Sequence, residues 1–301
     1  MRNQGRPVLA DIVDFSKLRE AIAGRRAEAA EIIRIAEEAE QAEKVKIAEA
    51  ARLAANAEAQ VKAARLEADR RRELHSYIRG RGVTGLGHFT RLKNLESILR
   101  HGLLPRGTLE QMGAEYVAND ELRLDHVDGV CLSISFPNYK LFYKFRRKFP
   151  KEDWVVIDLS TDVIERKACI FNPCNAASGA MTRIEVERRM QMDALQEMFY
   201  DRDAHYGDAP ASNTGTTKLR EILGLPDKFT TDPQAEVVVT ESIEPELFDG
   251  VFFDCDDTPR NRQILDDVFQ KVAPRWRGRF LPGRAAFTYR SDYKYWQTDN
   301  G

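Results

Sequence analysis

The chain has 301 residues, 43% of them hydrophobic, and a formal net charge of −2, enough apolar material for one large domain or two smaller ones. So balanced a charge provides no global field toward nucleic acid, so any such attraction has to be local. The sequence holds no run long and apolar enough to span a membrane and no secretory signal pattern, and its four cysteines (131, 169, 174 and 255) form no Cys-x-x-Cys pair and have no histidine at a zinc-like spacing; a cytoplasmic protein with reduced thiols and no metal is expected.

A short apolar run, Val8 to Phe15, precedes Ser16, a suitable helix N-cap. From Leu18 to Arg79 there is no proline, and after Gly24 no glycine, while Ala, Glu, Arg and Lys dominate. This predicts one long helix or a helical hairpin. Its larger apolar residues are sparse and the seam between them is mostly alanine, so it cannot form a core alone. It is expected to pack on a second copy, on its own folded-back half or on a partner helix, or else to serve as a solvated spacer. Gly80, Gly82, Gly85 and Gly87 mark a boundary, giving an N-terminal coiled-coil-like segment, 1–79, and a second domain, 80–301.

In that domain a strand is predicted to end at His88-Phe89-Thr90, followed by a helix with Leu92, Leu95, Ile98 and Leu99 on one face and Gly102 as its stop. A histidine at the end of a strand points into a cleft or serves as a structural hydrogen-bonder. Residues 105–128 read as a polar loop carrying Arg123. Residues 130–136 read as a strand with Ser133 and Ser135 on one face, and Pro137 is suited to open the next helix. That helix interleaves Lys140, Lys144, Arg146, Arg147 and Lys148 with aromatic rings. Cations for phosphates and rings for bases suit a single nucleic-acid strand, although the same pattern also describes a solvated helix face.

Further strands are predicted at 154–159, 169–171, 251–253 and 286–289, with an edge strand in the tail 293–296. Helices are predicted over about 184–199, near 218–223 and around 261–272. Residues 201–233 form a long polar stretch before Asp232-Pro233-Gln234-Ala235-Glu236-Val237-Val238-Val239. A loop of that length favours a substrate-binding role. Glu236 stands on the threshold of an apolar strand. It is either an edge carboxylate in water or a partly desolvated acid with a task. The mixed order of elements gives an α+β class, with two small sheets split around a cleft, and no Gly-x-Gly-x-x-Gly follows a strand.

Four stretches in order resemble the DarT family, bacterial toxins that ADP-ribosylate bases of single-stranded DNA using NAD. They are His88-Phe89-Thr90 with its following helix, Ser133-Ile134-Ser135-Phe136-Pro137-Asn138-Tyr139-Lys140, Asn172-Pro173-Cys174-Asn175-Ala176-Ala177, and Asp232-Pro233-Gln234-Ala235-Glu236. The match runs over about 85–270 and leaves the N-terminal helix outside. The resemblance implies an ADP-ribosyltransferase-like split β-sheet core. It implies Glu236 as catalytic acid, Arg123 on the NAD phosphates, and His88, Phe89, Thr90, Ser135, Phe136, Asn138 and Tyr139 around the NAD, with Phe136 or Tyr139 on the nicotinamide. It also implies that the segment before Glu236 reads the acceptor, and that an antitoxin partner exists, in a toxin–antitoxin or phage-defence system. The Ser133-Ile134-Ser135-Phe136-Pro137-Asn138-Tyr139-Lys140 form and the long helix differ from thymidine-modifying members, so the acceptor stays open. It is a DNA base, an RNA base or a protein, and a noncatalytic nucleic-acid-binding module on a coiled-coil tether is the reading from another class.

Overall fold

The computed structural model describes residues 15–119, 127–201, 219–254 and 279–296, with a few positions between 263 and 276. The chain divides into two compact units, Met1–Leu66 and Glu67–Gly301. The first holds most of the helix α1 (Phe15–Gly80), which has no break, so the hairpin alternative does not hold. Nothing in its sequence turns the chain back: no proline intervenes, and pairs such as Glu31–Arg34 and Glu40–Lys44 support it along its length. Ile32, Ile33, Val45, Ile47, Leu53 and Val61 are all exposed along it.

In the second unit, the last turns of α1 place Leu74 and Ile78 in the core. His75 is held by Thr161 at 3.1 Å and Glu165 at 3.0 Å. The helix stops after Gly80, where Gly82 takes φ +76°.

The sheet contains β1 (Leu86–Arg91), β2 (Val130–Ile134), β3 (Trp154–Leu159), β4 (Cys169–Asn172), β5 (Glu236–Val239), β6 (Phe248–Phe253) and β7 (Phe280–Pro282). Their order is β4-β5-β2-β1-β3-β6-β7, antiparallel except for the parallel pair β6–β7. The two halves expected from the sequence are therefore parts of one sheet. The split shows at the β1–β2 line, where only Leu86↔Ile134 and Gly87↔Ser133 pair, whereas β1 and β3 pair over six positions. β5 lies between β4 and β2, so Glu236 is not on an edge strand.

Pleating sorts the side chains. On β3, Val155, Ile157 and Leu159 join the main core with Leu95 and Leu99 of α2 (Leu95–His101), while Trp154 and Val156 join a second, aromatic cluster. That cluster contains Phe142 and Phe145 of α4 (Tyr139–Lys148), together with Phe89 and Phe287. Gly102, at φ +89°, passes so close to Ile243 that a Cβ would lie 2.3 Å from its carbonyl oxygen.

Several expectations need correction. Residues 105–128 include a short helix, α3 (Arg106–Gln111). Pro137 does not open α4. Asn138 caps it, its side chain accepting from Leu141 N at 3.2 Å, because a carboxamide oxygen satisfies an amide that proline cannot. The run 184–199 forms two short helices, Val186–Arg189 and Met192–Glu197, separated by a turn. Residues 284–287 form a 3₁₀ turn, and Tyr293–Trp296 is a helical turn rather than an edge strand. The Tyr293–Trp296 turn is tied back on itself by Trp296 Nε1, which donates to the buried Asp292 at 2.7 Å. Of the helix expected over 261–272, residues 266–268 are helical and most others lie outside the described residues. Among the described residues no helix is long and apolar enough to cross a membrane.

Candidate active site

Glu236 opens β5 and is 7% exposed. Burying a carboxylate this far requires partners. Ala176 donates its backbone amide to Glu236 Oε2 at 3.0 Å, and Asn138 Nδ2 stands 3.5 Å from Oε1. Asn138, 1% exposed, is fixed at both ends: its backbone amide donates to Ser133 Oγ at 3.0 Å while its side-chain oxygen caps α4. One carboxamide thus couples the start of α4 to the acid.

The acid's backbone is held as well. Asn172 Nδ2 donates to Glu236 O at 3.2 Å, and the buried Arg189 donates to Asn172 Oδ1 at 2.8 Å. The Asn172-Pro173-Cys174-Asn175-Ala176 stretch therefore grips Glu236 through a side chain at one end and a backbone amide at the other. Nothing in the sequence pointed to Arg189, which sits in a run of like residues.

His88 occupies the place where β1 and β2 part. Its Nδ1 lies 2.9 Å from the Cys131 carbonyl oxygen, so Nδ1 carries the proton and Nε2 is left as an acceptor. Burial lowers the His88 pKa, against the smaller raising effect of the Cys131 carbonyl, so the ring is neutral at pH 7. The pleat puts Thr90 on the same side of β1, buried and accepting from Asn94 Nδ2 at 3.1 Å. Phe89 points the other way and stacks on Phe142 at 4.6 Å, within the aromatic cluster.

Ser135 takes φ +61°, a conformation that side chains other than glycine's rarely adopt. Its backbone amide donates to Gly85 O at 3.1 Å, where a Cβ would strike Asp158 at 2.5 Å. The Ser135 hydroxyl, the Tyr139 hydroxyl and Asn119 Oδ1 are buried without a protein partner. Burial also raises the Tyr139 pKa, so that phenol stays protonated. Phe136 is half-buried and meets Tyr139 edge-on at 6.4 Å and Phe229 at 6.0 Å.

The segment leading into Glu236 is pinned by two buried arginines. Arg220 donates to Phe229 O at 2.8 Å, Thr231 Oγ1 at 2.9 Å and Pro226 O at 3.0 Å. Arg290 donates to Thr230 O at 2.8 Å and Thr231 O at 3.1 Å. Asp232 Oδ1 then accepts from Gln234 N at 2.8 Å. Residues 202–218, earlier in the same stretch, and Arg123 lie outside the described residues.

On α4, Lys144, Arg147 and Lys148 are exposed and Lys140 is half-buried. Arg146 is committed elsewhere: it donates to Phe287 O at 2.9 Å and pairs with Asp254.

The family model for DarT, described as ssDNA thymidine ADP-ribosyltransferase, matches residues 87–274. No curated protein matches the chain. A structure of Thermus sp. 2.9 DarT in complex with NAD+ is similar at 15% identity and TM-score 0.44, covering 68% of this chain and 98% of that one. Thermus sp. 2.9 DarT in complex with ADP-ribosylated ssDNA gives 14% identity and TM-score 0.44 over 69% of this chain and 97% of that one. Thermosipho africanus DarTG in complex with ADP-ribose gives 14% identity and TM-score 0.41 over 68% of this chain. This chain spans about half the length of that last protein, 51%.

Proposed function

The chain belongs to the DarT family of ssDNA thymidine ADP-ribosyltransferases, and on that premise we propose that it transfers ADP-ribose from NAD to a base of single-stranded DNA, with Glu236 as the catalytic carboxylate. The observation that carries this is the buried, doubly held Glu236 beside Asn138 and Ala176. A carboxylate fixed before the reaction begins stabilises positive charge that develops later, and losing such a group typically costs on the order of 10²–10³ in rate.

The unpartnered hydroxyls of Ser135 and Tyr139 and the Asn119 oxygen fit a polar, hydroxyl-bearing substrate such as NAD. His88, with Nε2 left as an acceptor, would hold a ribose hydroxyl, Thr90 would support it, and Phe136 or Tyr139 would cover the nicotinamide. Arg123 is proposed for the phosphates. In the transfer, nicotinamide leaves with the electrons of its bond to the ribose carbon. A base nitrogen supplies the new pair, and Glu236 accepts the proton that nitrogen gives up. Thymidine, the acceptor in the family's description, is the first candidate.

Lys140, Lys144, Arg147 and Lys148 would meet the strand's phosphates. We also infer an antitoxin partner, and α1 is the proposed surface for a partner helix or a second copy, since its Ile32, Ile47 and Val61 stand exposed. The acceptor is tested by incubating the protein with NAD and single-stranded DNA, digesting to nucleosides and weighing the products. An ADP-ribosyl deoxynucleoside is expected. Product only on RNA or on protein overturns the DNA assignment.

A further inference from the structure

We propose that Tyr143, Tyr289 and Tyr293 form a stacking platform for the nucleotides that flank the acceptor base, an inference that rests on the single-stranded-DNA reading above. The rings form a continuous path outward from the acid. Asn138 touches Glu236, and the adjacent Tyr139 meets Tyr289 edge-on at 5.9 Å. Tyr289 packs against Tyr143 at 5.5 Å and stacks on Tyr293 at 4.9 Å with 19° between planes. Tyr143 and Tyr289 are 43% and 41% exposed. Single exposed rings need no explanation, but a cluster does.

Tyr143 and Tyr289, with Tyr139, line a cleft of about 440 Å³ between α4, the end of β6 and the 284–289 segment. Its size is in the range of small-molecule sites. The charges select the occupant. Three carboxylates, Glu152, Asp153 and Asp254, line it; Asp254 is paired with Arg146 and Glu152 with Lys93, the latter at 2.9 Å. Arg147 lies over the Tyr143 ring at 5.7 Å, with Lys144 exposed beside it. Exposed rings bordered by cations are what a single strand requires: bases stack and phosphates are neutralised, without sequence readout.

The platform is also rigid and tied to the acid's loop. Between Tyr289 and Tyr293, the buried Arg290 pairs with Asp292 through two contacts of 2.7 and 2.6 Å, and Trp296 Nε1 donates to Asp292 at 2.7 Å. The same guanidinium holds Thr230 and Thr231, just upstream of Glu236. Bases bound there would keep a fixed position relative to the carboxylate. Tyr289 and Tyr293 lie beyond residues 87–274, so part of this surface falls outside the matched part of the chain.

The test is fluorescence anisotropy of a labelled single-stranded DNA, with and without abasic sites flanking the acceptor base, on the full-length protein without NAD. Wild type is expected to bind the intact strand more tightly than the abasic one. Tyr143→Leu with Tyr289→Leu should weaken binding of the intact strand by on the order of tenfold or more and abolish the difference between strands. Tyr143→Phe with Tyr289→Phe keeps the rings and should retain wild-type affinity, which separates stacking from misfolding. If wild type binds and the leucine variant binds the intact strand equally well, the platform is wrong while the acceptor reading stands. If wild type binds no single-stranded DNA, both are wrong.

Discussion

Ala176 donates its backbone amide to Glu236 Oε2 at 3.0 Å, sixty residues away in sequence, and thereby fixes that oxygen against a loop backbone. A backbone donor cannot swing away, so the carboxylate is oriented before substrate arrives. Glu236→Ala is expected to reduce transfer at least 10²-fold. The same change leaves the Ala176 amide without its acceptor, at about 1–3 kcal/mol of stability. Thermal unfolding should still be cooperative, and product yield should be at background.

Asn138 has two separable duties, to cap α4 and to donate to Glu236. Asn138→Ser keeps an N-cap acceptor but loses the donor, and so is expected to retain most of the stability while transfer falls. Asn138→Ala loses both and should be less stable by about 1 kcal/mol. Denaturant titrations beside steady-state rates separate the two duties. Equal activity in the serine variant and wild type would remove Asn138 from the site.

Asp158 provides a test by pH. Burial, with Asp249 adding to it, pushes its carboxyl from 3.8 up to about 6. The folded chain therefore holds a proton there that the unfolded chain has released. This group's contribution to stability is present below about 4 and is lost as pH rises through about 6. Asp158→Asn should remove that loss and be more stable than wild type at pH 7.5 by about 1–2 kcal/mol, the two-unit shift being reduced for partial solvation. Urea unfolding at pH 5 and 7.5 is the measurement. An unchanged pH slope in the variant contradicts it.

His88 shifts in the opposite direction. Its pKa is lowered by burial, so its contribution is full above the ordinary histidine value of about 6.5 and is lost as pH falls below it. An NMR titration should find the His88 ring neutral at pH 6.5, still donating from Nδ1 to Cys131 O. A midpoint above 6.5 would contradict the partly buried placement.

The buried pair Arg290–Asp292 holds the chain before Glu236 to the C-terminal segment. Asp292→Asn leaves the guanidinium uncompensated and is expected to cost about 3–5 kcal/mol. Trp296 loses its charged acceptor in the same variant, so its emission should shift with the stability change.

What the sequence made legible were elements whose period or composition is local. The proline-free run gave α1, the β-branched run after Glu236 gave β5, and His88-Phe89-Thr90 lay on a strand as expected. The alternation rule placed Ser133 and Ser135 on one strand face, yet the strand ends at Ile134 and Ser135 turns to positive φ. A backbone reversal of that kind leaves no periodic trace. Arg189 and Arg290 were invisible because a buried arginine is defined by partners distant in sequence, here Asn172 and Thr230. Arg146 read as one more cation on a basic helix, and only the fold shows Asp254 and Phe287 holding it.

The most direct test of the central claim is transfer from labelled NAD to matched pools of single-stranded DNA and RNA, with wild type beside Glu236→Ala. The account predicts label on the DNA pool with wild type and none with the variant. Label on the DNA pool that survives Glu236→Ala, or no label on DNA with wild type, would contradict it.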